Sequence, residues 1–189
     1  MTRTPEQYFR ELYEHDGDPW GFDSRWYERR KYALTVASLP AERFRSCFEP
    51  GCSIGALSEL LAPRCDRLLA ADHMAEPLAR ALDRLRRFPH VTVERRVIPE
   101  QWPDGPFDLL VLSEICYYFD ADELASLLGR AMSSLQANAT VVAVHWRGPT
   151  NYPLSATAAH GIVAALPVLE TVTRHVDEQF LLDVWRHRP

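Results

Sequence analysis

Residues 49–55 read EPGCSIG: an acidic residue, a proline, and two glycines that flank small side chains. The apolar pair Cys47–Phe48 precedes them and the helix-forming GALSELLAP (55–63) follows. A strand that ends in a glycine turn and passes directly into a helix is the opening unit of an open α/β sheet, and a ligand comes closest to the backbone in that turn. Two familiar versions of the turn are missing. A P-loop needs a Lys followed by Ser or Thr, which this turn lacks, and a dinucleotide fingerprint calls for glycine at 51, 53 and 56, where the chain has Gly51, Ser53 and Ala56. The second glycine stands at Gly55 instead.

Outward from this turn, short apolar runs alternate with helical ones. Strand-like FRSCFE (44–49), RLLAAD (67–72), VTVERRV (91–97), FDLLVLSE (107–114) and ATVVAVHW (139–146) are separated by helical GALSELLAP, AEPLARALDRLRRF (75–88) and ADELASLLGRAMSSL (121–135). Such alternation predicts right-handed βαβ units and a largely parallel sheet. A helix from about Ala156 to Leu166, capped by Ser155, leads into LETVTRHV and EQFLLDVWR, which predict a closing antiparallel hairpin. The expected fold is α/β: a doubly wound, Rossmann-like, seven-stranded and mostly parallel sheet whose last strand is antiparallel, with helices on both faces. Before it, PEQYFRELY predicts a short helix with Thr4 as cap and Pro5 at its first position. Ser24 can cap a second helix over Arg25–Leu39, which Pro40 ends. We therefore expect one domain over 1–189, with a helical N-terminal cap (1–40) over an α/β core (41–189).

Composition narrows the function. Of 189 residues, 47% are hydrophobic and 25% charged, and the net charge is −5. A nucleic-acid partner needs a basic face to neutralise phosphates, so none is expected, and Arg84, Arg86 and Arg87 read as the solvated face of a helix. No stretch approaches the roughly 18 apolar residues of a membrane span. Cys47, Cys52, Cys65 and Cys116 show no metal spacing, the histidines show none either, and the polar N-terminus carries no export signal. The expectation is a cytoplasmic protein with reduced thiols, no metal and a small-molecule partner; the oligomeric state stays open.

Asp72 ends the second predicted strand, 21 positions past Gly51, near the spacing at which an acidic residue meets ribose hydroxyls. Alone, Gly51 and Gly55 fit an ordinary tight turn and Asp72 fits a helix cap. Taken in order, Glu49, Gly51, the small residues Cys52 and Ser53, Gly55 and Asp72 resemble the first motifs of the class I S-adenosylmethionine (SAM) methyltransferases, with a departure at Ser53. That resemblance implies SAM as cofactor and S-adenosylhomocysteine (SAH) as product. Glu49 would order the loop and meet the cofactor's amino group, and His73 would pack near the adenosine. RRVIPEQWP (95–103) has no Asp to read the adenine amino group, which leaves backbone groups near Val97 and Ile98.

Four further stretches, DPWGF, WYERRKYALTVASLP, IPEQWPDGPFDLLVLSEICYYF and HWRGPTNYPLS, resemble the nodulation-protein-S type N-methyltransferases over nearly the whole chain. By that resemblance Trp20 belongs to a cap over the cofactor, with Tyr27 and Arg30, one helical turn apart, facing the same site. A guanidinium suits the methionine carboxylate and aromatic faces suit a sulfonium, although Trp20 and Tyr27 could equally pack the cap on the core. Ser113, Glu114 and Tyr117, with Tyr118, fall at the ligand-facing end of the fourth strand. His145 and Trp146 end the next, and Arg147 and Tyr152 follow in the loop that, with the cap, must form the acceptor pocket. Glu114 or His145 would take the proton of an amine acceptor; for each, a structural hydrogen bond is the alternative. The expected function is N-methylation of an amine or amino sugar. An O-methyltransferase, a nicotinamide-dependent dehydrogenase (disfavoured by Ser53 and Ala56) and a SAM-binding protein without catalysis remain as alternatives.

Overall fold

The sheet is built around β1 (Cys47–Pro50), a four-residue strand buried along its whole length. It pairs in parallel with β2 (Leu68–Asp72) on one side and β4 (Phe107–Ser113) on the other. Residues 3–189 are described, in a computed structural model; positions 1 and 2 of the expected cap lie outside the described residues. With β3 (Val91–Arg95), β5 (Leu135–Trp146), β6 (Leu169–Val176) and β7 (Phe180–His187), the strand order is β3-β2-β1-β4-β5-β7-β6. β7 inserts between β5 and β6 and is antiparallel to both. The chain thus winds outward from β1 to β3, returns to β4, and winds the other way. That reversal opens a crevice beyond the carboxyl ends of β1 and β4.

Both faces of the sheet are covered, so its central strands alternate between two apolar layers rather than between core and water. Leu110 and Leu112 of β4 face a layer with Phe48, Val141 and Trp185, against which α5 (Ala121–Ser133) and α6 (Ala156–Ala164) pack through Leu124, Leu127 and Val163. Leu109 and Val111 point the opposite way, to Val142, Val144 and Phe180. There α2 (Trp26–Ala37) and α3 (Ala56–Leu61) supply Tyr32, Leu57 and Leu61. α4 (Ala75–Leu85) lines up Leu78, Ala81 and Leu85 on its buried side. α1 (Glu6–His15) docks through Phe9 and Tyr13 onto Met74, just after β2.

Several local expectations are corrected. Thr4 and Ser24 cap nothing: the N-caps of α1 and α2 are Pro5 and Arg25, without side-chain hydrogen bonds. Thr4 instead donates its amide to the Tyr118 carbonyl at 2.7 Å, and Ser24 closes a turn onto Gly21. β1 begins at Cys47 rather than Phe44, because the amides of Arg45 and Ser46 are taken by the Asp108 carboxylate at 2.9 and 2.8 Å. β5 starts four residues earlier than the apolar run, at Leu135. Ser155 does cap α6, accepting from the Ala158 amide at 3.1 Å. All four cysteines are buried free thiols, and no helix among the described residues is long and apolar enough to cross a membrane.

Gly55 starts α3 from the left-handed region, at φ +76°. A Cβ there would lie 3.2 Å from both Ala81 Cβ and Leu85 Cδ1, so the absent side chain also lets α3 approach α4. Gly55→Ala therefore combines a left-handed alanine with a tight helix contact, and we expect a loss of about 1–2 kcal/mol or more. In thermal unfolding that corresponds to a midpoint lowered by about 2–8 °C; an unchanged midpoint would show that the turn relaxes freely.

Candidate active site

A cavity of 580 Å³ occupies the crevice. Its floor is made by residues that follow the strands: Gly51 and Ser53 after β1, Asp72 and His73 at the end of β2, Val97 and Ile98 beyond β3, Ser113 and Glu114 at the end of β4, and Trp146 of β5. Its roof comes from residues 3–31, chiefly through Phe9, Tyr13, Trp20, Arg25, Tyr27, Glu28 and Lys31. Tyr117, Tyr118 and Tyr152 close one end as a packed group of rings with centroids 4.7–4.9 Å apart.

The glycine turn brings backbone close to this space. Gly51 sits at φ +74°, and a Cβ on it would stand 3.0 Å from Ile115 Cδ1. Ser53 also adopts positive φ, +49°, which explains why glycine suits the position and what serine does there. Its hydroxyl lies 2.6 Å from the Tyr13 hydroxyl and so ties α1 to the turn, while its amide donates to Asp72 Oδ2 at 2.9 Å. Asp72 Oδ1 accepts from the Met74 amide at 3.0 Å. Each carboxylate oxygen has a second acceptor site left over, which is what binding a pair of vicinal hydroxyls requires.

Glu114 is the most constrained residue in the cavity. It is not glycine, yet its φ is +53°, a strained backbone of the kind that concentrates at functional sites. Its amide donates to the Val144 carbonyl at 2.8 Å. Its Oε2 accepts the Trp146 amide at 2.9 Å and the Tyr117 hydroxyl. Its Oε1 accepts from the Lys31 ammonium at 2.6 Å. Lys31 is only 1% exposed and also lies 2.8 Å from Glu28 Oε2, with Nζ 5.0 and 5.2 Å from the ring centroids of Tyr27 and Tyr32. The Lys31–Glu28 contact is a charge contact, and among the described residues neither Glu28 Oε2 nor the buried Tyr27 hydroxyl has a hydrogen-bond partner. Burial pulls the Lys31 ammonium pKa down, but Glu114 and Glu28 more than reverse this and hold it above its ordinary value. Burial raises the Glu28 carboxyl despite Lys31.

Six expected site residues are not on the wall of this cavity, among them Gly55, which lies against Ala81 and Leu85 of α4. His145 is wholly buried behind it, with Nε2 accepting from the amides of Ile115 and Cys116. Burial, then His160 and Lys31, holds its imidazole well below the ordinary value, so it is a neutral scaffold residue without access to an acceptor. Arg30 points outward to Asp177 at 2.6 Å; the cap's cationic groups in the cavity are Arg3, Arg25 and Lys31, and Arg3 is paired with Glu100. Arg147 turns to the Asp177 carbonyl. Cys52 packs against Ala70 and Leu78, and Glu49 is buried, accepting from Ser58 at 2.5 Å; both border only a small side cavity of 30 Å³. Val97 and Ile98 line the cavity, but the Val97 amide is already given to the Gln101 side chain at 2.8 Å.

The residues that sequence reasoning missed are Lys31, Glu28, Arg25 and Tyr13. Counting Tyr27 and Arg30 as one face of α2 put the helix slightly out of phase: the inward face is Tyr27–Glu28–Lys31. An i,i+3 Glu–Lys pair beside an aromatic residue was the available signal, but such pairs ordinarily belong to the exposed side of a helix.

The strand order, the glycine turn after β1 and the carboxylate closing β2 define the fold of the class I SAM-dependent methyltransferases. Within that class, the chain belongs to the nodulation protein S (NodS) family, whose model matches residues 6–151. Nodulation protein S of Bradyrhizobium diazoefficiens is 31% identical over 133 residues, which are 66% of this chain and 61% of that protein. For the Rhizobium tropici protein the figures are 31% over 120 residues, 62% of this chain and 50% of its own length. The chain thus spans about half to three-fifths of the curated relatives it matches. Among solved structures, a candidate methyltransferase from Pseudomonas syringae is 44% identical, with a TM-score of 0.77, covering 86% of this chain and all of that one. The N-methyltransferase NodS of Bradyrhizobium japonicum WM9, crystallised with SAH, is 26% identical, with a TM-score of 0.83 over 97% of this chain and 98% of its own.

Burial lifts the Glu49 carboxyl from 4.5 to about 7 against the Ser58 hydrogen bond. A carboxyl raised on folding contributes stability below its unfolded pKa and loses it as pH rises through the folded value. The margin by which Glu49→Gln out-melts the wild type should therefore widen between pH 5 and pH 8, at a limiting slope of about 1.4 kcal/mol per pH unit. A constant margin in thermal unfolding would show that Glu49 is ionised throughout.

Proposed function

We propose that the chain is a SAM-dependent methyltransferase that N-methylates a small amine or amino sugar, with residues 1–40 acting as a cap over the α/β core within one catalytic domain. The observation that carries this reading is Glu114: a carboxylate in a strained turn at the ligand-facing end of β4, sharing one cavity with the glycine turn and Asp72. The solved NodS relative, an N-methyltransferase with SAH bound, supports both the cofactor and the methylated atom.

The residues fit the cofactor. Asp72 would accept from the ribose hydroxyls, Gly51 and Ser53 would let backbone approach the methionine end, and His73, Val97 and Ile98 would flank the adenine. Arg25, which makes no ion pair among the described residues, would meet the methionine carboxylate, the role first expected of Arg30. When bound, SAM supplies an electrophilic methyl group on a sulfonium; the aromatic faces of Trp20 and Tyr27 stabilise such a charge without competing as nucleophiles. Alignment of two bound reactants is then the larger part of catalysis.

At the acceptor end, Glu28 and Glu114 bring two carboxylates against one ammonium, so with both ionised the cluster is one negative charge in excess and attracts a cationic amine. Glu114 orients the arriving ammonium and accepts its proton, freeing the nitrogen lone pair. Tyr117, Tyr118, Tyr152 and Trp146 form the acceptor's apolar wall.

Calorimetry with SAH and with NADH tests the cofactor, and labelled SAM offered with amines, amino sugars and hydroxyl compounds tests the acceptor. SAH binding with no response to NADH, and label appearing on nitrogen, is expected; label on oxygen alone would replace the amine reading. Asp72→Ala should weaken SAH by about 10- to 100-fold through lost charged hydrogen bonds. Glu114→Gln should lower kcat by about 100-fold or more with SAH affinity nearly unchanged. Unaltered turnover would remove Glu114 from the proton transfer.

A further inference from the structure

Behind the wall that carries Glu114, buried polar side chains form a continuous hydrogen-bonded chain. His145 is 0% exposed, and His160 and Asp183 are each 1%. His145 Nε2 accepts two backbone N–H groups, from Ile115 at 3.2 Å and Cys116 at 2.9 Å. Amides only donate, so Nε2 carries no proton and the ring proton belongs to Nδ1, 3.0 Å from His160 Nε2. That nitrogen must then accept, which places the His160 proton on Nδ1, 2.7 Å from Asp183 Oδ2. Arg174 completes the chain with contacts of 2.9 and 3.2 Å to Asp183. Two backbone donors at one end thus dictate both tautomers. Both rings are neutral, and the Asp183 charge is met by Arg174.

None of these side chains lines the cavity, so the proposed chemistry does not use them directly. Their terminus is nonetheless specific. Ile115 and Cys116 are the two residues after Glu114, and the left-handed backbone of Glu114 is a conformation worth about 1–2 kcal/mol against any non-glycine residue. Without an acceptor, two buried amides would favour any rearrangement that satisfied them. We propose that His145, held in its tautomer by His160 and Asp183, is a positioning residue that locks the Glu114–Cys116 turn and so aims the Glu114 carboxylate at the acceptor. This rests on the reading of Glu114 as the acceptor-side carboxylate.

Two substitutions separate the ends of the ring. In His145→Gln the introduced side-chain amide overlays the Nε2 position, and its carbonyl oxygen can accept from Ile115 and Cys116. The shorter His145→Asn overlays Nδ1, keeps the link to His160 and releases the turn. Both sever part of a buried network and should lower the melting point. A purely structural role would end there. We expect His145→Asn alone to speed hydrogen exchange of the Ile115 and Cys116 amides by about tenfold or more, and to lower kcat in the same proportion on the acceptor found for the wild type. His145→Gln should keep near-wild-type exchange and turnover, and SAH affinity should stay within about twofold in both. Equal exchange in the two variants, or rapid exchange in His145→Asn with undiminished kcat, overturns the proposal. A wild type that binds no SAH defeats the methyltransferase reading instead, while the exchange contrast still decides whether His145 holds the turn.

Discussion

An ammonium group at 1% exposure is the constraint around which the cavity is organised. Lys31 cannot be withdrawn from water unpaired, since removing one partner of a buried ion pair leaves a charge whose desolvation costs several kcal/mol. Its partners come from two parts of the fold: Glu28 from the same helix and Glu114 from the end of β4. Satisfying Lys31 therefore seats α2 across the mouth of the sheet, and the same seating carries Tyr27 and Arg25 over the crevice. The N-terminal segment is joined to the core by charge at this point and by aromatic packing of Phe9 and Tyr13 at another.

The second determinant is topological. Because the winding reverses between β1 and β4, the connections that leave them run in opposite directions, and the turns at their carboxyl ends are free to approach a ligand. Three positive-φ residues, Gly51, Ser53 and Glu114, lie along this edge. Two of them carry side chains, and in both the strain is matched by contacts: Ser53 binds Tyr13 and Asp72, and Glu114 is held from four sides. The departure from a glycine-rich motif at Ser53 is thus a tie between cap and core rather than a defect of the turn.

The sheet was legible in the chain because strand and helix leave different periodicities, and β2, β4 and the last hairpin lie where their apolar runs place them. Asp72 was legible because its distance from Gly51 is set by one helix and one strand. The errors have local causes. Thr4 and Ser24 look like caps, but each lies one residue before the N-cap position, which Pro5 and Arg25 occupy. β5 extends backwards through Gln136, Ala137 and Asn138, which hydropathy does not mark as strand. α2 has charged residues on every side, so its pattern did not reveal that Lys31 rather than Arg30 turns inward. His145 stands next to last in β5, where the alternation of side chains along the strand sends it behind the wall while Trp146 faces the cavity.

By itself, the sequence determined the α/β class, the order of elements, the glycine turn, the carboxylate at Asp72 and the prominence of Glu114, all of which depend on spacing along one strand or helix. The tertiary structure alone decided which charges are buried together, which histidine nitrogen accepts, and which arginine of the cap enters the cavity. Those outcomes follow from the pairing of groups up to 147 residues apart in the chain, as between Arg30 and Asp177, where desolvation and hydrogen-bond satisfaction select the partner and no local pattern encodes it.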